Sequence, residues 1–243
     1  MSNQNEIVAL VHLLEDPDEK IYQQIKNKLM EIGPDCIPLL EKASFEEELG
    51  HVFDERAQFL IHEINFDRLK IEHKEWIDNP NNLLDGVLQL DQYFFPNTTR
   101  KFIEHEIKEM SKDIQSYIHA SMNPIEKVRI VNKVIYDIYK VKGNKSNYHA
   151  PENSSIGNLI QKKKGNPLSI SILYLEIARL LKLPIKGINL PNHFIVGYLN
   201  DNDLSLENEY KKRDKKDVLF YINPFSKGVI LKQSDIEDFI KEI

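Results

Sequence analysis

The sequence predicts an α+β protein, mainly helical, with one small antiparallel sheet. Up to about residue 140, apolar residues recur at helical spacing between capping signals. After residue 185 they alternate with period two. A loop-like stretch from Gly143 to Ser155 separates the two patterns.

Val8, Leu10, Val11 and Leu14 suggest a short first helix. Asp16-Pro17-Asp18-Glu19 then combines a capping Asp, a proline at the first helical position and a Glu three residues after the cap. With Gly33-Pro34 closing it, the segment predicts a helix from Pro17 to about Ile32, with Ile21, Ile25, Leu29 and Ile32 on one face. Cys36-Ile37-Pro38-Leu39-Leu40 opens a third helix. Ser44-Phe45-Glu46-Glu47 reads as a capping box starting a long helix towards Trp76. Short amphipathic helices joined by tight turns suggest a HEAT-like arrangement. Asp78-Asn79-Pro80-Asn81 is the strongest break in this half, because the residue before proline is pushed out of helical geometry. Two regions are therefore expected, 1–78 and 79–243.

In the second region, Leu83 to Phe95 reads as a helix, followed by helices from about Thr99 to His119 and from Pro124 to Lys140, the last opened by Asn123-Pro124 with Glu126 three residues after the cap. Asn166-Pro167 starts a helix whose broad apolar face of Ile170, Leu173, Tyr174, Ile177, Leu180 and Leu181 belongs inside a core. Ile185 to Asn189, His193 to Leu199, Val218 to Asn223 and Val229 to Leu231 read as neighbouring antiparallel strands. Ser234-Asp235-Ile236-Glu237 is a last capping box, for a closing helix.

Composition narrows the function. A net charge of −6 and the absence of a basic domain argue against a nucleic-acid protein. The lysine runs 162–164 and 211–216 read as solvated loop charge. No run approaches the roughly 20 apolar residues that span a bilayer. The amino terminus carries no secretory signature, so a cytoplasmic location and no membrane contact are expected. With Cys36 the only cysteine, neither an internal disulfide nor a zinc site built from cysteine pairs can form. His51, His62 and His73 are spaced by eleven residues, about 16 Å apart on a helix, too far to share a metal. No metal or cofactor is expected.

The densest motif is Gly165-Asn166-Pro167-Leu168-Ser169 with the helix that follows, then Leu183-Pro184 through Asn192-His193-Phe194, then Ile222-Asn223-Pro224-Phe225 with Gly228. These blocks, in this order, resemble the SirB-type branch of the transglutaminase-like superfamily, a branch also found beside an F-box in a ubiquitin-ligase subunit. The resemblance spans roughly 82–231 and implies a papain-like core. It implies a cysteine at a helix amino terminus, a histidine on one strand and an aspartate on the next, because a helix terminus and an imidazole favour the attacking thiolate and a carboxylate orients the imidazole.

By that motif the cysteine position falls at Pro167, the histidine at His193 and the aspartate at Asn223. Proline supplies no nucleophile, and asparagine can orient a histidine but brings no charge. The implied function is a catalytically inactive protein with a binding or regulatory role towards a protein or peptide, its former cleft lined by Tyr148, Asn153, Asn166, Ser169, Asn192, His193 and Asn223. The alternative is a hydrolase or acyltransferase in which His193 activates water or Ser169.

Overall fold

The first turn of α2 (Glu19–Ile32) shows how the N-terminal helices are set. Asp18 is its cap and accepts from the Lys20 amide at 2.8 Å, while Asp16 accepts from the Asp18 amide. The helix thus starts two residues later than the Asp16-Pro17 signal predicts: Asp16 and Asp18 compete for the cap, and the one nearer the helix takes it. The computed structural model describes residues 2–45, 49–80, 82–96, 98–190, 193–200 and 218–241. It divides into two compact units, Met1–Pro80 and Asn81–Ile243.

Within the first unit, α1 (Ser2–His12), α2, α3 (Ile37–Phe45) and α4 (His51–Asp78) enclose a core that includes Val11, Leu14, Leu29, Cys36, Leu40 and Phe53. Each such aliphatic or aromatic side chain contributes roughly 1.5–3 kcal/mol on burial. Ser44 does not open the long helix: it lies in the last turn of α3, which the buried Leu40 and Ala43 carry through to Phe45. Gly50 is the cap of α4, and its amide donates to Glu15 Oε1 at 2.9 Å. Arg56 of α4 ties the unit together, donating to the Leu14 and Asp16 carbonyls at 2.7 and 2.8 Å with its guanidinium 4.0 Å over the Tyr22 ring.

The second unit opens with α5 (Leu83–Phe94), α6 (Arg100–Tyr117) and α7 (Pro124–Asn132). Asn123 and Glu126 form the expected capping box. The helix predicted to reach Lys140 widens to π-helical turns over Lys133–Ile138. Next come β1 (Lys142–Gly143), α8 (Ile156–Lys162), β2 (Lys164–Gly165) and α9 (Pro167–Leu180). β1 and β2 form a parallel pair, each strand too short to show any alternation in sequence. β3 (Ile185–Leu190), β4 (His193–Leu199), β5 (Val218–Asn223) and β6 (Val229–Leu231) form an antiparallel sheet in chain order. α10 (Gln233–Lys241) closes the unit. Its first turn is tied by Asp235, which accepts from the Lys232 amide at 2.7 Å, so Ser234 lies inside the helix rather than capping it.

Alternation along the strands sorts the sheet's two faces. Val196, Tyr198 and Ile222 join Ile170, Leu173, Tyr174 and Ile177 of α9 in the main core. Ile195 and Tyr221 pack on the opposite face with Ile236 of α10. α9 is therefore the central helix the sequence implied. Among the described residues no helix is long and apolar enough to cross a membrane.

Candidate functional site

The amino terminus of α9 is built from side chains that bond inwards. Asn166 caps it, its Oδ1 accepting from the Ser169 amide at 2.9 Å. Ser169 answers by accepting from the Asn166 amide at 3.1 Å and donates its one hydroxyl proton to the Asn153 carbonyl at 2.6 Å. Ser169 is fully buried. Gly165 is required beneath it, since a Cβ there would overlap the Ser169 hydroxyl. Pro167, the first helical residue, needs no amide at a position where helices leave the amide unpaired. The turn thus offers solvent Pro167 and the exposed Leu168, neither of them a nucleophile.

Asn153 joins this turn to the loop before it. Its Oδ1 accepts from Asn144 at 2.9 Å, and its Nδ2 donates to the carbonyls of Asn147 and Tyr148 at 2.6 and 3.0 Å. Its own carbonyl takes both the Ser169 hydroxyl and the Asn166 amide. Asn153 and Ser169, expected to line a cleft, are instead buried and bonded within this turn and loop. Tyr148 is the exposed member, its ring edge-on to Phe225 at 5.9 Å between centroids. Phe225 in turn lies on Gly143, where a Cβ would come within 2.5 Å of the ring.

The turn after β5 is held just as firmly. Asn223 accepts from the Ser226 amide at 3.2 Å, Tyr136 donates to the Pro224 carbonyl at 2.9 Å and Asn132 donates to the Gly228 carbonyl at 2.8 Å. Asn132 accepts in the same arrangement from the Tyr174 hydroxyl at 3.0 Å. Burial raises both tyrosines well above the ordinary phenol range, so they stay neutral donors. Gly228 has φ +68°, and a side chain there would overlap Asn132.

His193 is the exposed first residue of β4 and stands opposite Leu190, which packs with Ile195 and Tyr221. By the alternation of the strand it lies on that face, away from the residues that meet α9. Val196 pairs with Ile222, so continuing the register puts Asn223 opposite Ile195, on the same face as His193 and roughly 7–8 Å from it on a diagonal. The structure thus gathers Tyr148, Asn153, Asn166, Ser169 and Pro167 into one assembly, joined through Phe225 to the Asn223 turn, and places His193 at the start of β4. Asn192 lies outside the described residues. Among the described residues no three His, Cys, Asp or Glu side chains are grouped to hold a metal.

A family model described as the transglutaminase-like superfamily matches residues 101–243. The chain belongs to that superfamily. Its relatives put it in the SirB-type branch. The UPF0162 protein of Xylella fastidiosa is 29% identical over 90 residues, covering 34% of this chain and 32% of the relative. A UPF0162 protein of Buchnera aphidicola is 28% identical over 162 residues, covering 66% and 54%. F-box only protein 21 of Mus musculus is 26% identical over 194 residues, covering 67% of this chain and 28% of that protein. The chain thus spans between about a quarter and a half of these relatives' lengths. No solved structure matches it.

The transglutaminase-like unit also depends on polar contacts that the sequence did not mark. Asp91 of α5 is buried and accepts from the amides of Ile156 and Gly157 at 3.0 and 2.9 Å, capping α8 from 65 residues away. Asn132, Tyr136 and Tyr174 hold the Asn223 turn from α7, its π-helical extension and α9. Only their buried polar character in otherwise apolar stretches could have flagged them.

Proposed function

We propose that this transglutaminase-like protein is non-catalytic and binds a protein or peptide partner at the surface around Pro167, Tyr148 and Phe225. The carrying observation is the first turn of α9, where the superfamily's nucleophile is expected: it presents proline and leucine, and its one hydroxyl is buried and bonded to a carbonyl. The sole thiol, Cys36, lies in the other unit, fully buried, and burial pushes its pKa up to about 11. A thiol held there carries almost no thiolate at neutral pH. That the core matches only 28% of F-box only protein 21 supports its use as a module within larger proteins.

In this reading His193 and Asn223 are inherited positions without a nucleophile to serve, and the helices of 1–80 form a HEAT-like companion in a reducing cytoplasm. The competing reading has His193 activating water. Amine-incorporation and amide-hydrolysis assays on wild type and His193→Ala separate the two. No turnover by either protein is expected; multiple turnover in wild type that disappears in His193→Ala would overturn the proposal.

A further inference from the structure

The lysine run 162–164, read in sequence as solvated loop charge, is brought beside Lys142 next to α9. The parallel pairing of β1 and β2 sets Lys142 opposite Lys164 and Gly143 opposite Gly165, with the Lys142 amide bonded to the Lys163 carbonyl at 2.9 Å. Register partners in a sheet stand about 4.8 Å apart. Lys140, Lys145 and Lys162 flank the pair, and all of these side chains except the half-buried Lys163 are exposed. Residues 139–166 contain six lysines and one acidic residue, Glu152, a local surplus of five positive charges. The rest of residues 81–243 carries a net charge of only −1.

This surplus is not neutralised from within. Among the described residues none of Lys140, Lys142, Lys145, Lys162 and Lys164 forms a salt bridge, and the carboxylate felt at Lys163 is Glu106 of α6. Like charges held this close repel, and an opposite charge brought to them relieves the repulsion. The scaffold is rigid as well: Asn153 fixes the 144–148 loop, and Lys140 and Lys163 hold left-handed backbone at φ 59° and 56°. A preorganised patch gives up little entropy on binding.

We propose that the β1–β2 ridge is a docking surface for a short acidic segment of a partner protein, with an apolar residue of that segment seated on Tyr148 and Phe225. This rests on the binding role argued above and names the partner's chemistry. Continuity supports the apolar subsite, since Gly143 of β1 lies against Phe225 and Phe225 against Tyr148. Size favours a peptide over a nucleic acid or a membrane: the ridge is two residues long on each strand, too short to track a long polyanion or a charged bilayer.

The test uses the full chain and four labelled probes: a glutamate–tyrosine copolymer, polyglutamate, a 20-nucleotide oligothymidylate and phosphatidylserine vesicles. The copolymer is expected to bind tightest, at least threefold tighter than polyglutamate, and to weaken as salt screens the contact. Lys142→Glu with Lys164→Glu is expected to weaken it at least tenfold, whereas Lys20→Glu with Lys28→Glu, the same charge change on α2, leaves it unchanged. Circular dichroism confirms that both variants fold; if the first does not, Lys145→Glu with Lys162→Glu takes its place. Equal or tighter binding of the oligonucleotide or vesicles, indifference to charge reversal, or no copolymer binding each overturns the proposal. Those failures leave the turnover assays untouched, so losing the acidic partner is distinct from losing the non-catalytic reading.

Discussion

Asp91 is the most exacting single residue in the second unit. Burial holds its carboxyl above the usual range, with the Ser155 hydroxyl and the Gly157 and Ile156 amides pulling it back. Asp91→Asn turns one acceptor into a donor facing an amide, which is expected to cost about 2 kcal/mol near neutral pH. The pH trend has a definite sign. A carboxyl whose folded value lies above its unfolded one contributes stability that is complete below the unfolded value and is lost as pH rises through the folded value. The stability gap between wild type and Asp91→Asn is therefore expected to widen from pH 7 to pH 4, measured by urea denaturation at each pH. A gap that narrows would show that the amide bonds outweigh desolvation.

At the scale of elements, the amino terminus of α9 separates scaffold from chemistry. A helix start lowers the pKa of a thiol placed there, because the unpaired amides and the helix dipole favour the anion. Pro167→Cys is expected to be alkylated by iodoacetamide with a pKa below the free-thiol value of about 8.5. Cys36, fully buried and donating to the Gly33 carbonyl at 3.1 Å, supplies an unreactive background. A Pro167→Cys thiol that titrates at or above the free value would mean that this turn no longer provides the superfamily's electrostatic setting. The capping box of Asn166 and Ser169 is unaltered by the change, since both of its bonds come from other residues.

For the whole molecule, the two units have separate cores, one holding Leu14, Leu29 and Phe53 and the other Ile107, Leu173 and Val196. Residues 81–243 are expected to fold alone, with a cooperative thermal transition and the same sharp near-ultraviolet signature from their buried tyrosines; a broad, non-cooperative melt would refute this. Sequence alone determined the class, the longer helices and the four strands of the antiparallel sheet in order, the capping box at Asn123 and the family blocks at 165–169, 193–194 and 222–225, because periodicity, caps and turns are local; it did not mark the short β1, α8 and β2. It missed the start of α2, where Asp16 and Asp18 compete for the cap, and that of α4, because the buried Leu40 and Ala43 carry α3 past the Ser44 signal. Contacts distant in sequence were decided only by tertiary structure: Asp91 on α8, Asn132 on Gly228, and the β1–β2 pairing that brings the lysine run 162–164 beside Lys142. Two residues per strand leave no periodic trace, and a hydrogen bond across 65 or 96 positions leaves none either.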